Sequence, residues 1–116
     1  MTITLYHNPR CSTSRKALAL LQAHGIEPVI IDYLKHPPSR AQWQTLIAAS
    51  DLPAHAFLRP KEALYQELDL GNPARTPDEI MDALAAHPIL LNRPVATNGH
   101  AVRIGRPPEN ILDLLA

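Results

Sequence analysis

Cys11 is the sole cysteine of the chain and stands in a run of positive charge, with Arg10 before it and Arg15 and Lys16 after it. The segment before it alternates like a strand and the segment after it has helical periodicity, so the thiol falls where a helix begins. First-turn amides have no intrahelical partner and carry the positive end of the helix dipole. A thiolate is favoured there, and such positions bring a cysteine pKa from about 8.5 into the range of roughly 3.5–7.5. The same amides bind oxyanions. Nucleophile and anion site therefore coincide, which is what attack on a tetrahedral oxyanion requires. A free cysteine can instead be a small buried hydrophobe, but the flanking charges argue against that.

Spacing disfavours two other thiol chemistries. Cys11-Ser12-Thr13-Ser14 reads C-x-x-S, so a dithiol oxidoreductase motif lacks its second sulfur. A cysteine phosphatase loop would place arginine six residues after the nucleophile, where this chain has Ala17; Arg15 is only four on. One cysteine also rules out an internal disulfide and a self-contained redox cycle, so a resolving thiol must come from another molecule. His24, His36, His55, His87 and His100 form no i, i+4 pair, and no metal site is expected. His24, near a helix C-terminus, suits the dipole there.

The composition narrows the partners. Eleven basic and eleven acidic side chains balance, so nucleic acid and acidic membranes are not expected. Arg93, Arg103 and Arg106 cluster late, with only Glu109 and Asp113 as acids after Asp82. Local basic clusters on a neutral chain suit a small anionic ligand. No apolar run approaches the roughly 20 residues of a membrane span, and the N-terminus lacks the pattern of a secretory leader. A cytoplasmic location is expected, and 116 residues suit one domain.

The elements that must position Cys11 can be read in order. Residues 2–6 form a first strand, and a helix from Cys11-Ser12 to about His24 carries Ala17, Leu18, Leu20 and Leu21, with Gly25 as its stop. Val29 to Tyr33 reads as a second strand buried on both faces, completing a right-handed parallel βαβ unit. The middle is helical: Ser39 caps a helix through Trp43, Leu46 and Ile47; Pro53 starts a short turn to Leu58; residues 61–68 form a short helix. Thr76-Pro77-Asp78-Glu79 is a capping box for a helix to about Ala86. Two short strands, 94–97 and 101–104, then flank Asn98-Gly99, a type I′ turn pair. Pro107-Pro108 opens a last helix through Ile111, Leu112 and Leu115. The fold class is α/β, with helices inserted over residues 39–87 between βαβ and ββα halves.

Tyr6 to Leu18, YHNPRCSTSRKAL, resembles the active-site segment of the glutaredoxin-linked arsenate reductase family. The likeness continues through Leu58-Arg59, His87-Pro88-Ile89-Leu90, Asn92-Arg93-Pro94-Val95 and Arg103-Ile104-Gly105-Arg106-Pro107-Pro108-Glu109, in order along the whole chain. The resemblance implies a thioredoxin-like fold with a mixed four-stranded sheet, and a nucleophilic role for Cys11 on the arsenic of arsenate. It implies that Arg59, Arg93 and Arg106 bind the oxyanion, and that His7 and Ser14 tune the nucleophile. It places Arg93-Pro94 at the cis-proline that faces the cysteine in such folds. It further implies that glutathione, a co-substrate and not a tightly bound cofactor, condenses with the arsenic adduct and that glutaredoxin completes the reduction.

Each arginine also has a plain reading as solvated surface charge. All three precede a proline, which holds the backbone extended, and an arginine fork recognises oxyanions bidentately where lysine would not. Arg103 adds a fourth guanidinium that competes with Arg106 for the ligand role. RIGRPPEN around Arg106 also looks like a branch of the family whose substrate is open. Two alternatives follow. One is a glutathione-linked thiol reductase of other specificity. The other is a binding module resembling the Spx-type regulators, against which Ser14 argues, because that group's switch uses C-x-x-C.

Overall fold

The computed structural model describes residues 2–115. Strand β1 (Thr4–His7) leads into helix α1 (Ser12–Ala23), which returns to strand β2 (Val29–Asp32). β1 and β2 pair in parallel, Thr4 opposite Val29 and His7 opposite Asp32. Strands β3 (Val95–Thr97) and β4 (Val102–Ile104) close the sheet: β3 lies antiparallel to β1 and β4 antiparallel to β3. The order β2-β1-β3-β4 is the mixed four-stranded sheet that the sequence leads one to expect. β1 is thus an inner strand, and Cys11 follows its C-terminal end.

Three helices fill the segment between β2 and β3: α2 (Arg40–Ser50), α3 (Ala63–Glu67) and α4 (Pro77–Ala86), with 3-10 turns at Ala54–Phe57 and Pro88–Leu90. Both anticipated caps form. Ser39 Oγ accepts from the Gln42 amide and Thr76 Oγ1 from the Glu79 amide, each with its side chain returning the bond. A cap of this kind stabilises a helix start by about 1 kcal/mol.

The sheet separates two cores. On one side Trp43, Phe57, Ile80, Leu84, Leu90 and Leu91 pack around Tyr33 and Val95, with Trp43 edge-on to Phe57 at 6.4 Å. On the other, Ala17 and Leu21 of α1 meet Leu5, Ala96, Ile111 and Leu114. Each fully buried aliphatic side chain contributes roughly 1.5–3 kcal/mol. Together these two layers clamp the β1–α1 junction.

Two expectations need correction, and the expected last helix is of the tighter 3-10 kind. β2 is not buried on both faces: it pairs only with β1 and forms a sheet edge, leaving Val29 51% and Ile30 48% exposed. The β3–β4 connection is not a type I′ turn, which needs positive φ at both central residues. Thr97 pairs with Val102, leaving four residues between them, and of that loop only Gly99 has positive φ. Asn98 Oδ1 accepts from the amides of His100 and Ala101 instead. The closing segment Pro108–Leu115 winds as a 3-10 helix.

Candidate active site

Cys11 is the N-cap of α1, with extended backbone at φ −91° and ψ 122°. Its place is fixed from both sides: the Cys11 amide donates to the Asn8 carbonyl at 3.0 Å, and its own carbonyl accepts the first helical bond from Arg15. Its sulfur makes no capping hydrogen bond. Burial opposes ionisation of the thiol, but the amides of Ser14 and Thr13 outweigh it with help from Arg106 and Arg93. The net effect holds the Cys11 pKa below the ordinary thiol value. These are the unpaired amides of a helix N-terminus and two guanidinium charges acting on one sulfur.

The three arginines arrive from separate places. Arg59 follows the turn Ala54–Phe57, its amide donating to the Leu90 carbonyl at 2.8 Å. Arg93 precedes β3 through the cis Arg93-Pro94 bond, and Arg106 follows β4 ahead of a second cis bond to Pro107. Arg106 Nη2 lies 3.6 Å from Cys11 Sγ, and Arg106 Nε donates to the Arg93 carbonyl at 2.8 Å. Cys11, Arg59, Arg93 and Arg106 line one open cleft of about 520 Å³ with Asn8, Arg10, Ser12, Thr13, Leu34 and Ile89. The four residues named from sequence are brought together.

Arg93 is the most buried of the three, 8% exposed. Its Nη1 donates to the carbonyls of Ile89 and Leu91 and to Glu62. Its Nε is buried with no hydrogen-bond partner. An unsatisfied buried donor costs about 1–3 kcal/mol.

The supporting residues divide. Ser14 is fully buried; its Oγ is hydrogen-bonded to His7 Nδ1 at 2.7 Å and accepts from the Asn8 amide at 3.1 Å. Burial lowers the His7 pKa, Asp32 opposes the shift and Arg15 adds to it. This pair braces the loop below Cys11. Arg15 stays outside the cleft, Nη1 donating to the Pro9 carbonyl at 2.9 Å. Pro94 is buried behind the cleft, its carbonyl accepting from Gly105. Arg103 is not among the residues lining this cleft; it lines a second pocket together with Asp51, Asn92, Asp113 and Arg106 itself, and lies 3.5 Å from Asp113.

Sequence reasoning missed two residues. Glu62 Oε1 accepts from Arg59 Nη1 at 2.8 Å and from Arg93 Nη1 at 3.3 Å. Tyr33, fully buried, accepts at its hydroxyl from Asn8 Nδ2 at 3.4 Å. Only the closeness of Glu62 to Arg59 in sequence could have signalled the first. Among the described residues no group of three or more His, Cys, Asp or Glu side chains is placed to hold a metal.

The family model described as the ArsC family matches residues 6–114. The chain belongs to the ArsC family. Among ArsC relatives, the arsenate reductase of Rhizobium meliloti strain 1021 is 47% identical, the match covering 99% of this chain and 82% of that one. The protein YfgD of Escherichia coli K12 is 37% identical, covering 97% of this chain and 96% of its own length. The structure of an arsenate reductase from Vibrio cholerae superposes with a TM-score of 0.93 at 42% identity, covering 98% of both chains. The fold is therefore thioredoxin-like, with the ArsC helical segment between its halves.

Proposed function

We propose that this chain reduces arsenate to arsenite, with Cys11 as nucleophile and Arg59, Arg93 and Arg106 as the oxyanion clamp. The observation that carries the reading is the convergence of all three guanidinium groups on one cleft around a cysteine whose pKa is lowered. The relatives named arsenate reductase supply the substrate.

The Cys11 thiolate attacks arsenic(V), an S–As bond forms, and one oxygen leaves as water after protonation. Donors fixed in place before the reaction stabilise the negative charge on the remaining oxygens without reorganising. Arg106 holds the thiolate beforehand and the adduct afterwards. A chain with one cysteine cannot reduce the adduct alone. Glutathione displaces a second oxygen as water, forming a second S–As bond. A glutaredoxin thiolate then attacks the glutathione sulfur, giving a mixed disulfide and leaving the electron pair on arsenic, now arsenic(III). Water releases arsenite and regenerates Cys11. The same reading assigns the activity to the cytoplasm, where glutathione and glutaredoxin would supply the thiols. No helix among the described residues is long and apolar enough to cross a membrane.

The test is arsenate-dependent NADPH oxidation coupled through glutathione, glutathione reductase and glutaredoxin, with a control lacking arsenate. Wild-type protein should turn over and Cys11→Ser should not. Inactive wild-type protein would overturn the substrate assignment. Activity with thioredoxin in place of glutathione and glutaredoxin would overturn the choice of reductant.

A further inference from the structure

We propose that Glu62 tunes the affinity of the site: a built-in counter-anion on Arg59 and Arg93 that lowers the cleft's ground-state affinity for oxyanions and so limits its occupation by phosphate. The inference rests on the reading that the cleft takes a tetrahedral oxyanion. One carboxylate oxygen of Glu62 accepts from both Arg59 and Arg93, at 2.8 and 3.3 Å. Glu62 is tied to the site by more than its side chain. Its amide donates to the Arg59 carbonyl at 3.1 Å, closing the turn Arg59-Pro60-Lys61-Glu62. The counter-anion is therefore part of the loop that delivers Arg59 and cannot diffuse away.

The electrostatic consequence follows from burial. The Glu62 side chain is 18% exposed and that of Arg93 10%, so this pair is screened less than an ion pair in open solvent. Glu62 takes one N–H of each guanidinium and offsets part of their joint charge. Arg93 Nε stays buried and unpartnered.

The chemistry gives such a residue a use. Phosphate and arsenate share charge and tetrahedral shape, so hydrogen bonds and charge distinguish them poorly, as they do for other near-isosteres. Only arsenic goes on to the S–As bond with Cys11 and to reduction. Tight ground-state binding would fill the cleft with phosphate and add nothing to the chemical step. A carboxylate lying on two of the three arginines weakens binding of both anions alike, so the cleft is less occupied by either, and the bond-forming step, open only to arsenic, does the selecting.

The experiment is calorimetric titration of the 116-residue chain with inorganic phosphate, for wild type, Glu62→Gln, Glu62→Ala and Glu62→Asp. Glu62→Gln should bind phosphate about fivefold more tightly, the factor a partly screened charge pair is worth. Glu62→Asp keeps the charge and should stay within about twofold of wild type. Glu62→Ala covers a failure of Glu62→Gln to fold, since the Glu62 side chain makes no capping bond to α3. In the coupled assay, phosphate should inhibit Glu62→Gln at correspondingly lower concentration, with arsenate KM reduced in parallel. Unchanged or weaker phosphate binding in the neutral variants overturns the proposal, as does tightening in Glu62→Asp equal to that in Glu62→Gln. Phosphate that binds no form of the protein overturns it too. Tighter phosphate binding in a protein that turns over no arsenate would sink the reductase reading and leave this one standing.

Discussion

Gly105→Ala tests whether fold and site are as tightly joined as they look. Gly105 follows β4 and precedes Arg106, and its amide donates to the Pro94 carbonyl at 2.8 Å. A methyl group there would lie 2.8 Å from Pro94 Cγ and 3.2 Å from both Pro94 Cδ and Ile111 Cγ2. Ordinary contact begins near 3.4 Å, so the Pro94 ring and residue 105 must separate by about 0.6 Å. The ring cannot rotate away, and Ile111 is fully buried, so the backbone has to move. Overpacking of this kind costs about 1–3 kcal/mol, and a domain of this size loses about 4 °C of Tm per kcal/mol. The catalytic consequence is larger than the stability one. Pro94 follows Arg93 and Gly105 precedes Arg106, so relieving the clash shifts two arginines of the proposed clamp relative to each other. Since a 1 Å misplacement costs about 10²-fold, arsenate turnover should fall about tenfold or more. Circular dichroism melts and the coupled assay read the two effects separately. A variant with unchanged Tm and unchanged turnover would refute the close approach and the coupling drawn from it.

Other perturbations separate individual contributions. The rate of Cys11 alkylation by iodoacetamide should reach half its maximum below the ordinary thiol pKa. Arg106→Ala removes a charge that favours the thiolate, so its midpoint should move upward; an unmoved midpoint would remove Arg106 from thiolate stabilisation. Ser14→Ala leaves His7 Nδ1 and the Asn8 amide without their shared partner in a buried setting. It should cost about 1–3 kcal/mol in urea denaturation, and a loss within error of zero would contradict that geometry. Arg103→Ala should turn over arsenate within about twofold of wild type, because a partly exposed pair away from the cleft contributes little. A loss as deep as that of Arg106→Ala would return Arg103 to the clamp.

Much of the architecture was legible because local signals agreed with the fold. The Ser39 and Thr76 caps, the helix start at Cys11 and the stop at Gly25 are each decided by neighbours within four residues. β2 and the Asn98-Gly99 loop misled for the opposite reason. An apolar run looks alike in a central strand and at an edge, and which it is depends on strands β3 and β4 far along the chain. Asn-Gly suits a type I′ turn only if two residues separate the paired strands, and here the register leaves four.

The cleft has the same division between local and distant causes. Local sequence places Cys11 on helix amides. It cannot say which of four late or middle arginines reaches the sulfur, because that depends on what each backbone is tied to. Arg106 reaches Cys11 because its Nε is held by the Arg93 carbonyl, whereas Arg103, three residues earlier on β4, turns toward Asp113. Arg59 and Arg93 share Glu62, which a spacing argument has no means of finding from the Arg93 side, 31 positions away. Side chains that could each be ordinary surface charges are gathered around Cys11 by acceptors, a carbonyl and a carboxylate, that the fold alone brings within reach. Substituting those acceptors is therefore as direct a test of the site as substituting the arginines.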